Sequence, residues 1–361
     1  MKISILGLSI TSSWGNGHAT TYRALVRALA SRGHEVTFYE RDAPWYADNR
    51  DLPEPPYCQT RLYADVPHLA ALAEADLRTA DLAIVGSYVP DGVAVGDLVL
   101  RAARGLTAFY DIDTPVTLAR LEGGGTDYLS APQIPRYDLY LSFTGGPTLE
   151  RLQQLYGAPL ARPLYCSVDP DLYFPEPSTL SWDLGYLGTY SADRQPVLDR
   201  LMLEAAARMP ASRFVVAGPQ YPDSVRWPDN VERIVHLAPG EHRAFYNALR
   251  FTLNVTRADM VKAGYSPSVR LFEAAACGTP IISDAWKGLD RFFTPGVEIL
   301  LSRNARETRG YLRDMDDATR RAIAARARSR VLAAHTATHR AIELEGYVAE
   351  AGLRPTERAA S

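Results

Sequence analysis

The feature that most constrains this chain is an alternation of short apolar runs with amphipathic helical patterns. Near the start, KISILGLSI is typical of a buried strand, and Tyr22, Leu25, Val26 and Leu29 then share one face of a helix. Gly33 follows at the position where helices commonly end in a left-handed glycine, and HEVTFYE predicts the next strand. This β-α-β order indicates a mostly parallel sheet covered by helices.

The alternation continues and falls into two halves, separated by a segment rich in proline and acidic residues that is typical of a linker. Further strands are predicted at 81–86, 105–110, 137–143, 184–188, 213–218, 231–237, 251–256, 279–284 and 297–302. Helices are predicted at 195–208, 241–249, 267–277 and from Asp316 to Ala351. We therefore expect an α/β protein with a Rossmann-like domain at 1–167, a hinge at 168–180, a second Rossmann-like domain at 181–334, and a C-terminal helix and tail at 335–361.

The composition limits the classes of protein to which this chain can belong. The 361 residues are 47% hydrophobic, which is enough for two domains with separate cores. The net charge of −3 gives no reason to expect nucleic acid or an anionic membrane as a partner, and no apolar run is long enough to predict a membrane span. No secretory signal pattern follows Met1, and Cys58, Cys166 and Cys277 lack metal-ligand spacing. We expect a cytoplasmic protein.

One stretch of the second half, SPSVRLFEAAACGTPIISD, carries a carboxylate in an apolar helix. Ser266 or Ser268 is predicted to cap a helix that begins near Pro267, and the free N–H groups of its first turn suit a phosphate. Glu273 lies farther along among small and apolar neighbours, where a carboxylate is costly unless it is hydrogen bonded. It either accepts hydrogen bonds from the ribose of a bound nucleotide or pairs with Arg270 three residues earlier.

With GLDRFFTPGVEIL after it, this stretch resembles the donor-site segment of GT-B glycosyltransferases, in particular the CgeB-like (spore maturation protein-like) and group 1 families. The similarity includes YDIDTPVTL, SFTGGP and LGYLGTYSADRQP and reaches across most of the chain. It implies two domains that face a cleft, a nucleoside-diphosphate sugar as donor substrate, and Glu273 as the acid that binds the ribose. Many retaining members carry a second glutamate, which contacts the transferred sugar, eight positions earlier. Here Tyr265 occupies that position, so the stereochemical outcome stays open.

The resemblance also implies where the diphosphate binds. Arg194, in GTYSADR, matches the basic residue that faces the donor diphosphate in this fold, and Lys262 precedes the predicted helix. Guanidinium groups fit phosphate oxygens, and two cations can stabilise a leaving nucleoside diphosphate without a metal ion. We therefore predict metal-independent transfer of a hexose or a related sugar.

A glycine-containing loop, SSWGNGH, joins the first predicted strand to the first predicted helix. Gly15 and Gly17 match part of a dinucleotide-binding pattern, but Thr20 replaces its third glycine, so NAD is not predicted. In GT-B proteins a similar loop faces the cleft, where a Cβ would obstruct the approach of phosphates or acceptor. The predicted donor-binding residues are Gly15, Gly17, Arg194, Lys262, Tyr265, Ser266, Ser268, Arg270 and Glu273.

His18 follows this loop and is the candidate general base, since a histidine has that role in this region of several inverting GT-B enzymes. A near-neutral pKa suits it to take the proton of an attacking hydroxyl. Asp111 or Asp113, where a predicted strand ends, would orient the imidazole or act as the base itself. The structural alternative is that His18 caps its helix and the aspartates cap a turn before Pro115. No metal site is predicted.

Three functions are compatible with these residues. The first is a glycosyltransferase acting on a small-molecule, glycan or protein acceptor, with the nucleotide sugar as substrate and no resident cofactor. The second is a nucleotide-sugar epimerase built on the same fold. The third is a GT-B protein that binds a nucleotide sugar without turnover, which the tyrosine at position 265 makes a serious alternative.

Overall fold

The computed structural model describes residues 1–14 and 17–353, and its contacts divide the chain into two units. The first unit contains Met1–Cys166 together with the helix that begins at Ala337, and the second is Ser167–Thr336. Each unit is built around its own parallel sheet. Within the described ranges, no helix combines the length and apolar character that crossing a bilayer requires.

The sheet of the first unit has seven strands, all paired in parallel, in the order β3-β2-β1-β4-β5-β6-β7. The strand order reverses between β1 and β4, and in open parallel sheets the carboxyl edge at such a reversal is where ligands commonly bind. The strands are β1 Lys2–Leu6, β2 Glu35–Arg41, β3 Gln59–Tyr63, β4 Leu82–Gly86, β5 Leu106–Asp111, β6 Leu139–Ser142 and β7 Ala161–Pro163.

Within the described residues, six α-helices precede β7 and connect the strands of this sheet. They are α1 His18–Ser31, α2 Pro44–Ala47, α3 Val66–Thr79, α4 Gly92–Ala102, α5 Thr114–Glu122 and α6 Pro147–Gln154. The buried face of α1 includes the predicted Tyr22, Leu25, Val26 and Leu29. Gly33 follows α1 with φ +83°, which confirms its predicted role in ending that helix.

The sheet of the second unit has six parallel strands in the order β10-β9-β8-β11-β12-β13. It repeats the topology of the first sheet, and its order reverses between β8 and β11. The strands are β8 Trp182–Leu187, β9 Phe214–Ala217, β10 Val231–Ile234, β11 Leu249–Asn254, β12 Ile281–Ser283 and β13 Leu300–Leu301.

The helices of the second unit are α7 Gln195–Leu198, α8 Glu204–Ala207, α9 His242–Asn247, α10 Ala258–Ala263, α11 Val269–Ala276, α12 Ala305–Asp314 and α13 Asp317–Ala334. A π-helical turn, Asp199–Leu203, joins α7 to α8. Of the two predicted cap residues, Ser268 is at the N-cap, and α11 begins two residues after the predicted start near Pro267. Ser268 is the N-cap residue with an extended backbone, φ −87° and ψ 143°, so Pro267 lies outside the helix.

The predicted helical tail is broken into two helices that belong to different units. Thr336 forms a parallel bridge with Val168 after α13 ends, and the chain then enters α14, Ala337–Gly352. This last helix packs on α1 of the first unit. Arg32 forms a 2.7 Å ion pair with Glu345, and the guanidinium of the buried Arg340 donates to a carbonyl at the end of the first unit. No sequence pattern predicts this partnership.

Candidate functional site

In the first unit, a buried carboxylate organises the loop that follows β1. Glu40, near the end of β2, accepts hydrogen bonds from the backbone N–H groups of Ile10 (2.6 Å) and Thr11 (2.9 Å). It also accepts from the hydroxyls of Ser9 (3.2 Å) and Thr11 (2.6 Å). Glu40 is fully buried, so protein donors rather than a ligand surround this carboxylate.

A second carboxylate holds the end of the same loop. Asp51 accepts from the backbone N–H (2.8 Å) and the hydroxyl (2.9 Å) of Ser13 and forms an ion pair with Arg23 (2.8 Å). Burial opposes ionisation of Asp51, but the hydrogen bonds from Arg23 and Ser13 lower its pKa below the ordinary value. The loop is therefore fixed at two points before α1 begins.

Of the two glycines predicted in this loop, one lies within the described residues. Gly15 lies outside the described residues. Gly17 is the N-cap residue of α1, and a Cβ added there would meet no atom of the described residues within 4 Å. No described residue therefore requires glycine at position 17.

His18 is the first residue of α1 and is almost completely buried, with 8% of its surface exposed. Its Nδ1 atom has no hydrogen-bond partner among the described residues, and its ring contacts Tyr88 edge-on at 5.3 Å. Burial lowers the pKa of His18 to about 4, below the near-neutral value expected from the sequence, so the imidazole is neutral at pH 7. Tyr88 follows β4 and has a left-handed backbone, φ +63°. His18 follows the loop after β1, so each of the two strands at the order reversal leads to one residue of this contact.

The predicted pairing of His18 with an aspartate is absent at Nδ1. Asp111, the last residue of β5, accepts from the hydroxyls of Tyr140 (2.6 Å) and Thr117 (2.9 Å) and from the backbone N–H of Asp113 (3.2 Å). Burial raises the pKa of Asp111 to about 6. Asp113 is the half-buried N-cap residue of α5, and its side chain makes no capping hydrogen bond. Asp111 is thus fully buried and enclosed by partners of its own.

The depressed pKa of His18 predicts a pH-dependent stability. The histidine takes up a proton near pH 6.5 in the unfolded chain and near pH 4 in the folded one, so acidification through this window favours unfolding. The cost reaches about 3 kcal/mol at pH 4. We expect the wild type to lose this amount of stability between pH 7 and pH 4 relative to His18→Gln. Urea denaturation of both proteins at the two pH values measures the free energies of unfolding. A difference that does not change with pH would contradict a buried neutral imidazole.

In the second unit, an arginine of α11 reaches the corresponding strand-order reversal. Arg270 donates from Nη1 to the side-chain oxygen of Asn254 at the end of β11 (3.1 Å) and to Ser268 Oγ (3.3 Å). Its guanidinium lies 5.2 Å from the ring centre of Tyr186 in β8. A Cβ added to Gly188 would lie 2.7 Å from the hydroxyl oxygen of Tyr186 and 3.1 Å from Nη2 of Arg270, so glycine at this strand end leaves room for both side chains.

Arg194 supplies a second cation at this edge. Its Nη2 donates to the carbonyl of Thr189 (2.6 Å), and its buried Nε has no partner among the described residues. Burial lowers the pKa of Arg194, and the positive charge of Arg270 lowers it further. Neither guanidinium forms an ion pair with a described carboxylate. Asp193, beside them in sequence, instead accepts from Ser191 and from the backbone N–H of Ala258 (2.8 Å).

Glu273 is buried on the opposite side of α11 from solvent, with 4% of its surface exposed. It accepts from the hydroxyl of Tyr246 in α9 (3.3 Å) and from that of Tyr173, which belongs to the predicted hinge. The predicted alternative, an ion pair with Arg270, is not formed, because that guanidinium is directed to Asn254. A carboxylate has about four acceptor positions, so two tyrosines do not exhaust Glu273.

The remaining predicted donor residues lie before α11. Tyr265 has a left-handed backbone, φ +50°, and its ring lies directly against Gly288, where an added Cβ would come within 2.3 Å. Ser266 donates to the sulfur of Met260 (2.8 Å), and Ser268 makes no side-chain cap although it is the N-cap residue. Lys262 is exposed in the last turn of α10.

Sequence reasoning missed Tyr88, Tyr186 and Asn254, which contact the candidate residues. Each lies at or near the carboxyl end of a central strand, the edge at which ligands bind in open parallel sheets. The sequence could have indicated these residues, because each lies at or near the end of a predicted strand.

Residues 194–346 match the protein family described as Glycosyl transferase-like. This segment is less than half of the chain, and it includes Arg194, Arg270 and Glu273. No curated protein matches the chain by sequence comparison.

Solved structures are similar over almost the whole chain. Sucrose-phosphate synthase from Thermosynechococcus elongatus has a TM-score of 0.73 and 16% identity, covering 97% of this chain and 98% of that one. HepE from Anabaena, in complex with UDP and glucose, has a TM-score of 0.69 and 15% identity, covering 97% and 100%. An alpha-glucosyltransferase in complex with UDP-glucose and DNA has a TM-score of 0.72 and 13% identity, covering 97% and 99%. The predicted GT-B fold is confirmed.

Proposed function

We propose that the protein is a glycosyltransferase that moves a sugar from a nucleoside-diphosphate sugar to an acceptor hydroxyl. The observation that carries this proposal is the pair of half-buried arginines, Arg194 and Arg270, at the strand-order reversal of the second sheet. Both lack a carboxylate partner among the described residues, and a diphosphate is the ligand that two such guanidinium groups would bind. The similarity of residues 194–346 to glycosyltransferases supports this reading.

The second unit would bind the donor. Arg194 and Arg270 would contact the diphosphate, with Lys262 and the turn before α11 adding positive charge and backbone donors. Glu273 would accept ribose hydroxyls with the oxygen positions that its tyrosines leave free. Tyr265 would contact the transferred sugar. Because the arginines stabilise the charge of the leaving nucleoside diphosphate, we propose that transfer needs no metal ion.

The first unit would bind the acceptor. His18 is neutral at pH 7 and has an unpartnered nitrogen, so it can accept the proton that the acceptor hydroxyl loses on attacking the anomeric carbon. Asp111 and Asp113 remain alternative bases by position, although the hydrogen bonds around Asp111 favour His18. We further propose the CgeB-like group as the subfamily and the cytoplasm as the compartment.

The test begins with a thermal-shift screen of nucleotides and nucleotide sugars, since a ligand of the folded state raises its stability. Release of free nucleoside diphosphate only when an acceptor is present supports transfer. Proton exchange at C2 of the sugar without acceptor would indicate an epimerase, and binding without turnover would indicate an inert binding protein.

The His18→Ala variant tests the assignment of the base. We expect its turnover to fall by roughly 100-fold or more, the usual contribution of general base catalysis, while the affinity for the donor stays unchanged. Turnover is measured as acceptor-dependent nucleotide release at saturating donor. Wild-type turnover in a folded variant would remove His18 from the mechanism.

A further inference from the structure

Asn254 links a buried polar cluster to the guanidinium of Arg270. It ends strand β11, and only 1% of its surface is exposed. Its amide nitrogen donates to the hydroxyls of Ser283 (3.0 Å) and Thr256 (3.2 Å) and lies 3.5 Å from a carboxylate oxygen of Asp284. Its amide oxygen accepts from Arg270 Nη1 (3.1 Å). The amide nitrogen therefore contacts the polar cluster, and the amide oxygen of the same side chain contacts Arg270.

Asp284 determines which way this amide faces. It follows strand β12, is 8% exposed, and accepts from the backbone N–H (3.2 Å) and hydroxyl (2.9 Å) of Thr256. Its fixed carboxylate presents an acceptor to position 254, so the nitrogen of Asn254 turns toward it and the oxygen turns toward Arg270. The orientation of the arginine thus depends on the ends of two neighbouring strands.

Asparagine is the side chain of this size that meets both requirements. Its amide donates on one side and accepts on the other, whereas leucine does neither. An aspartate would bring a second carboxylate beside Asp284 and a negative charge against Arg270. The long arginine side chain would otherwise sample many rotamers, and ordering it carries an entropic cost.

We propose that Asn254 is a positioning residue that holds Arg270, against Tyr186 and Gly188, in the orientation that receives the diphosphate of the donor. This inference rests on the proposed function, since it assigns the diphosphate to Arg270. Asn254 acts through the arginine and makes no contact with the reacting atoms.

The Asn254→Asp variant tests the proposal with UDP and uridine as probes. At pH 7.5 the new carboxylate pairs with Arg270, and we expect UDP affinity to fall by roughly 10- to 100-fold while uridine affinity is unchanged. The charged groups that face position 254 are Asp284 and Arg270. The carboxylate of Asp284 beside position 254 favours protonation of the new acid as the pH falls, whereas Arg270 opposes it. A protonated aspartic acid has the same donor and acceptor pattern as the amide, so the ratio of wild-type to variant affinity should move toward one as the pH is lowered from 7.5. A ratio that is independent of pH would contradict the proposal.

A crystal structure of unliganded Asn254→Leu provides a test that needs no nucleotide. We expect the guanidinium of Arg270 to leave Tyr186 and Gly188, and an unmoved guanidinium would overturn the proposal. If the arginine moves but wild-type protein binds no UDP, the positioning role stands and the assignment of this site to UDP falls. Asn230→Asp is the matched control, because Asn230 lies at the opposite edge of the same sheet and donates to three backbone carbonyls. The Asn230→Asp variant should have an altered free energy of unfolding. Its ratio of wild-type to variant UDP affinity should not depend on pH.

Discussion

Replacing Arg270 with methionine is expected to lower the affinity for UDP by roughly 100-fold. Methionine keeps much of the side-chain volume but removes the charge-assisted hydrogen bonds that a guanidinium makes with phosphate oxygens. The proposed contact of Arg270 is with the diphosphate, so the affinity for uridine should change little. Isothermal titration calorimetry with both ligands measures the two effects directly.

The control for this experiment is Arg313→Met, which removes an exposed arginine of the same unit. Arg313 pairs with its neighbour Asp314 at the surface and has no part in the candidate site. Its UDP affinity should equal that of the wild type. An equal loss of UDP and uridine affinity in the Arg270 variant would indicate a misfolded site, and an unchanged UDP affinity would show that the diphosphate binds elsewhere.

Replacing Glu40 with glutamine is expected to lower the free energy of unfolding by about 3 kcal/mol. The carboxylate accepts four hydrogen bonds from the loop after β1, and an amide nitrogen in its place would face donors instead of accepting from them. Each buried donor left without an acceptor costs about 1–3 kcal/mol. Urea denaturation followed by circular dichroism measures the change.

Glu35→Gln is the matched control, since Glu35 begins the same strand and is exposed. Its stability should remain within about 0.5 kcal/mol of the wild type. The Glu40 variant should also lose turnover, because the loop that Glu40 fixes leads directly into His18. Wild-type stability of Glu40→Gln would mean that the loop is held by other contacts, with Asp51 as the first candidate.

The fold could be predicted from the sequence because the central strands of both sheets are continuous apolar segments. The predicted strands at 81–86 and 105–110 correspond to β4 and β5 within one residue at each end. Strands β3 and β7 were missed, because QTRLY is largely polar and ARP is short and contains proline. These two strands lie at the edges of the first sheet, where partial exposure removes the apolar pattern that identifies a strand.

The candidate site was predicted less completely than the fold. Spacing along a helix reveals only neighbours on that helix, so the sequence offered Glu273 as the one local partner of Arg270. The structure instead directs the arginine to Asn254 and the glutamate to Tyr246 and Tyr173, which are distant in sequence. The same reason explains why an aspartate was expected beside His18, where the structure has Tyr88.

The return of α14 to the first unit makes the second unit an insertion within the first. Its two ends are joined as hydrogen-bonded neighbours, because Val168 N–H donates to the carbonyl of His335 (3.1 Å) and Thr336 bridges Val168. A segment with adjacent ends can be exchanged as one continuous cassette while both flanking pieces keep their contacts. Recombination in this region would exchange the whole second unit at once, while the first unit keeps its own residues.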